Sequence, residues 1–319
     1  MFISMWQYLY RHFFRFWMKW IFRVFTRKCE LQRICDGFIG GERTYKIENA
    51  LTLSKNKVLQ NATFVNHSEV EECIEDIMKE KNINPKKDRR FKIRMKACLL
   101  QISGYKQLYL DVENVRKSPY DSNNQHHEEL LMKLWSLLMP NEKLKARITK
   151  QWSDIGFQGD DPKTDFRGMG LLGLVNLVLY SSSWFAYIAF GLPDYHLKNE
   201  ASPRYFSENY TIEAHRILSH SNHPTLGYSY AIVGINLTEM AYSLLKNNAL
   251  KFHFYNSVPG SPAMEHFHQF YCYLFCEFDK FWFEEEPESI MYFNQYREKF
   301  HEKIKRLLLD YRVVLTLKI

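Results

Sequence analysis

Apolar side chains in this chain recur every three or four residues, and that spacing limits what it can fold into. Val70, Ile74, Ile77 and Met78 share one helical face, as do Leu130, Leu131, Leu134, Leu137 and Leu138. The same period runs through 91–115 and through Ile290, Phe293, Phe300, Ile304 and Leu307. Such spacing suits amphipathic helices, whereas half-buried strands need an alternation of two. No regular series of strand-like segments breaks the pattern. Val313 to Leu317 is strand-like, but too short and alone to define a sheet. The expected fold class is all-α. Ser68 with Glu71 reads as a capping box, with Pro85 closing that helix and Pro140 stopping the next. Helices are also expected at 207–219 and 228–247. Ser261 and Pro262 read as the N-cap and first residue of a long aromatic helix reaching about Phe283, and Pro287 as the start of the last. The turn-rich string SPYDSNNQHH at 118–127 is the best internal boundary.

Of 319 residues, 46% are apolar and 25% charged, a globular balance. The net charge of +7 is local. Residues 1–28 hold six basic residues and no acidic one, leaving 37 basic against 36 acidic elsewhere. A neutral body excludes a general nucleic-acid-binding face. In the first segment Arg11, Arg15, Lys19, Arg23 and Arg27 stand four apart among many aromatics, including Trp17 and Trp20. Spanning a bilayer would put Arg15, Lys19 and Arg23 near hydrocarbon, at about 2.5–3.5 kcal/mol each. An interfacial helix fits better, with aromatics at headgroup depth and the basic stripe on anionic lipid. Its expected membrane-binding residues are Arg11, Arg15, Trp17, Lys19, Trp20, Arg23 and Arg27. A transit peptide and a core helix with a solvated edge are the alternatives. Without a cleavable signal peptide, a reduced cytosolic compartment is expected; the six cysteines include no CxxC pair, and Cys272 and Cys276, one turn apart, are expected in the core.

Residues 152–176 read WSDIGFQGDDPKTDFRGMGLLGLVN. Gly156, Gly159 and Gly168 loosen this backbone while Pro162 fixes it, and Thr164 or Asp165 is the expected N-cap of the helix beyond. Arg167 then stands near a helix N-terminus, where backbone N–H groups also favour anions. Its rigid fork of donors suits phosphate oxygens. The bland alternative is a loop arginine bonded internally to Asp160, Asp161 or Asp165, and the residues alone leave the two even. Gly168, Gly170 and Gly173 match GxGxxG, but polar residues precede them where a dinucleotide site needs a strand. Close helix packing is the expected reason for those glycines. A P-loop is absent, and His266 and His268 face different ways on a helix without a third ligand. No metal site is expected.

The string W-x-x-I-G-F-Q-G-x-D-P-x-T-D-F-R-G-x-G-x-L-G-L-x-N-L resembles the signature of the ELMO (engulfment and cell motility) domain family. The likeness continues through HPTLGYSYAIVGINLTEMAYSLL and HFHQFYCYL. It implies an all-helical GTPase-activating protein for Arf-family small GTPases, Arf-like ones included, whose activity depends on the arginine of DFRG, here Arg167. GTP and magnesium would belong to the partner, so no cofactor is expected in this chain. Trp152, Ile155, Gly156, Phe157, Gln158, Asp161, Pro162, Asp165, Phe166 and Gly168 would position the loop or meet the partner. A non-catalytic, membrane-recruited adaptor is the rival reading. The expected location is cytoplasmic, peripheral on an intracellular membrane. The expected division is a membrane helix at 1–28, a helical region at 29–124, the ELMO domain at 125–311 and a tail at 312–319. One departure stands out: 26 residues from Leu179 to Arg204 intervene where the family runs from NLV into YFSENY. A splice or gene-model difference, a tolerated loop and a membrane segment are its possible origins.

Overall fold

The computed structural model describes residues 15–181 and 213–317, and among them every regular element is helical. The all-α expectation is met. Contacts divide the chain into two compact units: residues 1–106 with 251–262, and residues 107–250 with 263–319. The division falls inside a helix, not at the turn-rich 118–127.

The first unit contains α1 (Arg15–Thr26), α2 (Glu30–Gly37), α3 (Gly40–Thr52), α4 (Lys57–Asn61) and α5 (Val70–Glu80). It also takes the first part of α6 (Arg89–Lys117), and α11 (Lys251–Ser257) from far along the chain. Ile47, Leu51, Ile74, Ile77, Leu99 and Ile102 form its core, all fully buried. Polar side chains fasten α11 and the residues after it. The Gln101 amide donates to the carbonyls of Tyr255 and Val258 at 3.0 and 2.6 Å. Buried Glu48 accepts from Lys251 at 2.8 Å and from the Tyr255 hydroxyl at 3.0 Å. The expected capping box is not formed. Ser68 lies in a 3-10 turn, His67–Glu69, and α5 begins after Glu69 without a side-chain cap. That helix also stops at Glu80, before Pro85, with Asn82 at φ 52°.

The second unit contains the end of α6, α7 (Gln125–Leu138), α8 (Gly170–Ser181), α9 (213–221), α10 (Tyr230–Lys246), α12 (Met264–Glu285) and α13 (Phe293–Leu308). Helix α8 is apolar on every face and accordingly central, packed against α7, α10 and α12. Its one amide, Asn176, donates to Thr238 Oγ1 at 3.1 Å and accepts from His268 Nδ1 at 2.7 Å. Cys272 and Cys276 are buried on α12, in the core as expected. Ser261 and Pro262 lie ahead of α12 rather than starting it: Ala263 is the N-cap residue, and its N–H donates to His266 Nδ1 at 3.1 Å. The last helix starts at Phe293 after a 3-10 turn capped by Ser289, not at Pro287. Val313 and Leu315 of the tail are buried without forming a strand.

Three residues of the segment set apart at Leu179–Arg204 are described, and they continue α8. Leu179, Tyr180 and Ser181 are the buried end of α8, where the Tyr180 ring stacks on Phe275 and the Ser181 hydroxyl meets that of Tyr230 at 3.1 Å. The remainder lies outside the described residues, as does Arg11. Among the described residues no helix is long and apolar enough to cross a membrane.

Candidate functional site

The loop between α7 and α8 is built on a run of aromatic rings. Trp152 is fully buried, edge-on to Trp135 at 5.5 Å and to Phe157 at 5.8 Å. Phe157 meets Phe166 at 5.7 Å, and Phe166 meets Tyr120 at 5.3 Å. Ile155 and Pro162 are buried beside them. Edge-to-face pairing of this kind adds about 0.5–1.5 kcal/mol per pair beyond area burial and fixes ring orientation. Two 3-10 turns, Lys150–Ile155 and Pro162–Arg167, bend the chain around the rings.

Polar contacts tie the loop down. The Trp152 indole donates to the Arg147 carbonyl at 2.9 Å. Arg147 bonds Glu128 through Nε and Asp161 through Nη1, the latter at 2.9 Å. Asp161 caps the second 3-10 turn by accepting from the Lys163 N–H at 3.0 Å. The expected N-cap role of Thr164 or Asp165 is therefore not observed: Asp165 accepts from the Gln158 N–H at 3.0 Å, and α8 begins later, at Gly170. Gly156 has φ 84°, and a Cβ there would lie 2.3 Å from the Tyr230 nitrogen, so glycine is required against the start of α10. Gly170 is similarly forced, with φ 53° and a Cβ position 2.3 Å from the Arg116 carbonyl. Gly168 is different: a Cβ there meets no atom within 4 Å, so helix packing does not explain it.

Arg167 ends the second turn, exposed. Its Nε donates to the Thr164 carbonyl at 2.9 Å, which holds the base of the guanidinium. Asp161 is taken by Arg147 and Asp165 by Gln158, and among the described residues no carboxylate pairs with Arg167. The bonding to Asp160, Asp161 or Asp165 considered from the sequence is not observed; the internal partner is the Thr164 carbonyl. Exposed, Arg167 lines two surface depressions at once, of about 470 and 450 Å³. Gln158 is exposed on the second of these. The anchors Arg147, Glu128, Trp135 and Tyr120 escaped the sequence reading, because their partners lie in separate segments that no local spacing joins. Among the described residues no group of His, Cys, Asp or Glu is placed to hold a metal ion.

With this geometry in place, the family is clear. Residues 110–186 and 202–297 match the ELMO/CED-12 family, and the chain belongs to it. The interruption at 187–201 falls within the segment that the sequence sets apart. Among individual relatives, ELMO domain-containing protein 2 of Bos taurus is 72% identical over 319 residues, covering 100% of both chains. The Homo sapiens protein of that name is 71% identical over the same span. ELMO domain-containing protein B of Dictyostelium discoideum is 32% identical over 293 residues, 90% of this chain and 93% of its own. No solved structure matches the chain.

Proposed function

We propose that this chain is a GTPase-activating protein for Arf-family small GTPases, Arf and Arf-like, and that it supplies Arg167 in trans. The observation that carries the reading is an exposed guanidinium held, among the described residues, at Nε alone, on a loop otherwise fastened by Arg147, Asp161 and the aromatic run. Small GTPases hydrolyse GTP slowly because charge that builds on the phosphate oxygens is poorly neutralised. An arginine inserted from outside stabilises that charge and contributes on the order of 10³–10⁵ in rate. A finger must keep its Nη donors free and its backbone fixed before the partner arrives, and Arg167 meets both conditions. GTP and magnesium are the partner's in this scheme, and this chain needs no cofactor of its own.

The N-terminal segment is proposed to bring the protein to an intracellular membrane from the cytoplasmic side. In support, α1 leaves Trp17, Trp20, Phe22 and Phe25 exposed, the last 83% accessible, so they are not spent on a protein core.

Single-turnover GTP hydrolysis by a panel of Arf-family GTPases, with and without the protein, tests the activity. Arg167→Ala and Arg167→Lys should both lose the stimulated rate while binding persists in part. Full activity in Arg167→Lys would rule out the forked, two-donor mechanism, since lysine is a point charge. Binding without any acceleration by the wild type would make the protein an adaptor.

A further inference from the structure

The two depressions flanking Arg167 are chemically unlike. On one side Arg116, Lys117, Lys163 and Arg167 border a cavity of about 470 Å³ whose floor includes Pro119 and Phe166. No acidic side chain lines it among the described residues. One carboxylate stands behind it. Glu113 accepts from Arg116 at 2.7 and 3.0 Å and lies 3.3 Å from Lys117, so Arg116 is largely committed. Lys117 remains mostly exposed, at 66%. Among the described residues the Lys163 ammonium pairs with no carboxylate, donating to the Ser122 hydroxyl at 3.3 Å. Four cations face one carboxylate around an apolar floor. On the other side, Gln158, Asn236, Ile232 and Ile235 line a depression of about 450 Å³ whose charges, Asp165 and Arg167, are opposite. That side is near neutral, and Asn236 is held there by Arg297 at 2.6 Å.

We propose that the cationic side is the docking surface for an acidic segment of the partner GTPase, one carrying carboxylates beside an apolar side chain, and that this asymmetry sets which way the partner lies across Arg167. The assignment rests on charge complementarity. With Glu113 as the one carboxylate beside them, the cations of this lining are under-compensated until an acidic surface covers them, and Pro119 and Phe166 offer the floor to an apolar group. Rim charges of this type govern encounter and orientation more than the chemical step. Arg167 is shared by both depressions, so a partner seated on one side has the finger at its border. Lys117 and Lys163 are thus positioning residues, acting through the partner's orientation.

This inference depends on the GTPase-activating reading, and one pair of measurements separates them. The double variant K117E/K163E and the control Lys143→Glu, at an exposed lysine that lines neither depression, are compared with wild type. Binding to GTPases loaded with a non-hydrolysable GTP analogue is measured by interferometry at several salt concentrations. Hydrolysis is measured as a function of protein concentration. Expected for K117E/K163E are at least tenfold weaker binding and a flatter salt dependence. Its half-saturating concentration rises in parallel, and the maximal rate stays within about twofold of wild type, while Lys143→Glu behaves as wild type. Unchanged binding and salt dependence in K117E/K163E would overturn the docking assignment while leaving the finger untouched. An equal loss in Lys143→Glu would overturn it too, by showing a general charge effect. Weakened binding in K117E/K163E, beside a wild type that binds but never accelerates hydrolysis, would uphold the docking surface and remove the GTPase-activating reading. Failure of wild type to bind any member of the panel overturns both.

Discussion

At Gly156 the backbone adopts φ 84°, and the nearest heavy atom to a built Cβ is the Tyr230 nitrogen at 2.3 Å. An alanine there meets backbone, not the yielding end of a side chain, so either the loop or the start of α10 must move. The left-handed conformation adds strain of its own. Gly156→Ala should cost about 3 kcal/mol, lowering Tm by roughly 6–12 °C in a unit of this size. Gly159→Ala is the control, since its Cβ would meet nothing nearer than 4.0 Å, and a Tm within about 1 °C of wild type is expected. Equal stability in both variants would show that the loop is softer than its contacts imply. Gly168 poses the opposite case. It adopts ordinary helical angles, φ −81° and ψ −42°, in open space. Among the described residues nothing requires a glycine beside Arg167. Gly168→Ala is therefore expected to keep its Tm and still lose stimulated hydrolysis at least tenfold, because the added methyl stands where the partner must approach the finger. Undiminished hydrolysis would free that surface from the contact.

Helix α8 carries the loop's exit, and its central position makes it sensitive to a proton elsewhere. His268 on α12 donates from Nδ1 to Asn176 at 2.7 Å, and burial holds its pKa down, to about 3. The ring is neutral in the fold, whereas in the unfolded chain it takes a proton near pH 6.5. A folded pKa below the unfolded one means that the contribution is complete above 6.5 and is lost as pH falls from 6.5 toward 3. The slope approaches about 1.4 kcal/mol per pH unit. Denaturant titrations between pH 7.5 and 4.5 should show that slope in wild type, and a slope smaller by most of one proton in His268→Gln. Parallel pH profiles would locate the acid sensitivity elsewhere. Little of this network was legible in advance. The α8 segment announces itself as a buried helix because no face is polar, but a lone Asn176 gives no sign of partners 62 and 92 residues away. Helix existence was readable for a different reason in α5, α6 and α7, where apolar residues recur every three or four positions. Helix starts were not. Ser68 and Ser261 have the right chemistry for caps, yet α5 begins uncapped after Glu69, and His266 takes the cap role at α12. The loop's buried aromatics could be read as positioning residues, while Arg147 could not, because its roles join segments 14 to 27 residues apart.

Across the whole molecule, the helix proposed to meet lipid and the arginine proposed as the finger belong to different compact units, α1 to the first and Arg167 to the second. The first unit is closed by α11, whose residues arrive from position 251 onward, so the chain leaves and re-enters it. Such a unit cannot be removed cleanly at a linker, but residues 1–28 can be deleted with little loss of packing, because the side chains from Phe22 to Lys28 are exposed and the Lys28–Asp36 ion pair lies at the surface. If α1 serves recruitment, its removal should not touch the chemistry. Deletion of 1–28 is expected to leave the hydrolysis rate on a GTPase free in solution within about twofold of the full chain. On vesicles that bear the same GTPase and contain anionic lipid, the full chain gains from co-localisation, since tethering both partners to one surface raises effective concentration toward the millimolar range. There the deletion should lose tenfold or more, and high salt should reduce the full chain toward the same level by screening its basic stripe. The joint variant Trp17→Ala, Trp20→Ala, Phe25→Ala isolates the apolar share. It keeps every charge, so its vesicle binding should fall while the binding that remains is more strongly salt-dependent. If the deletion and the full chain sediment equally with anionic vesicles, the N-terminal helix has a protein partner instead. The exposed rings of α1 would then be half of an interface between proteins.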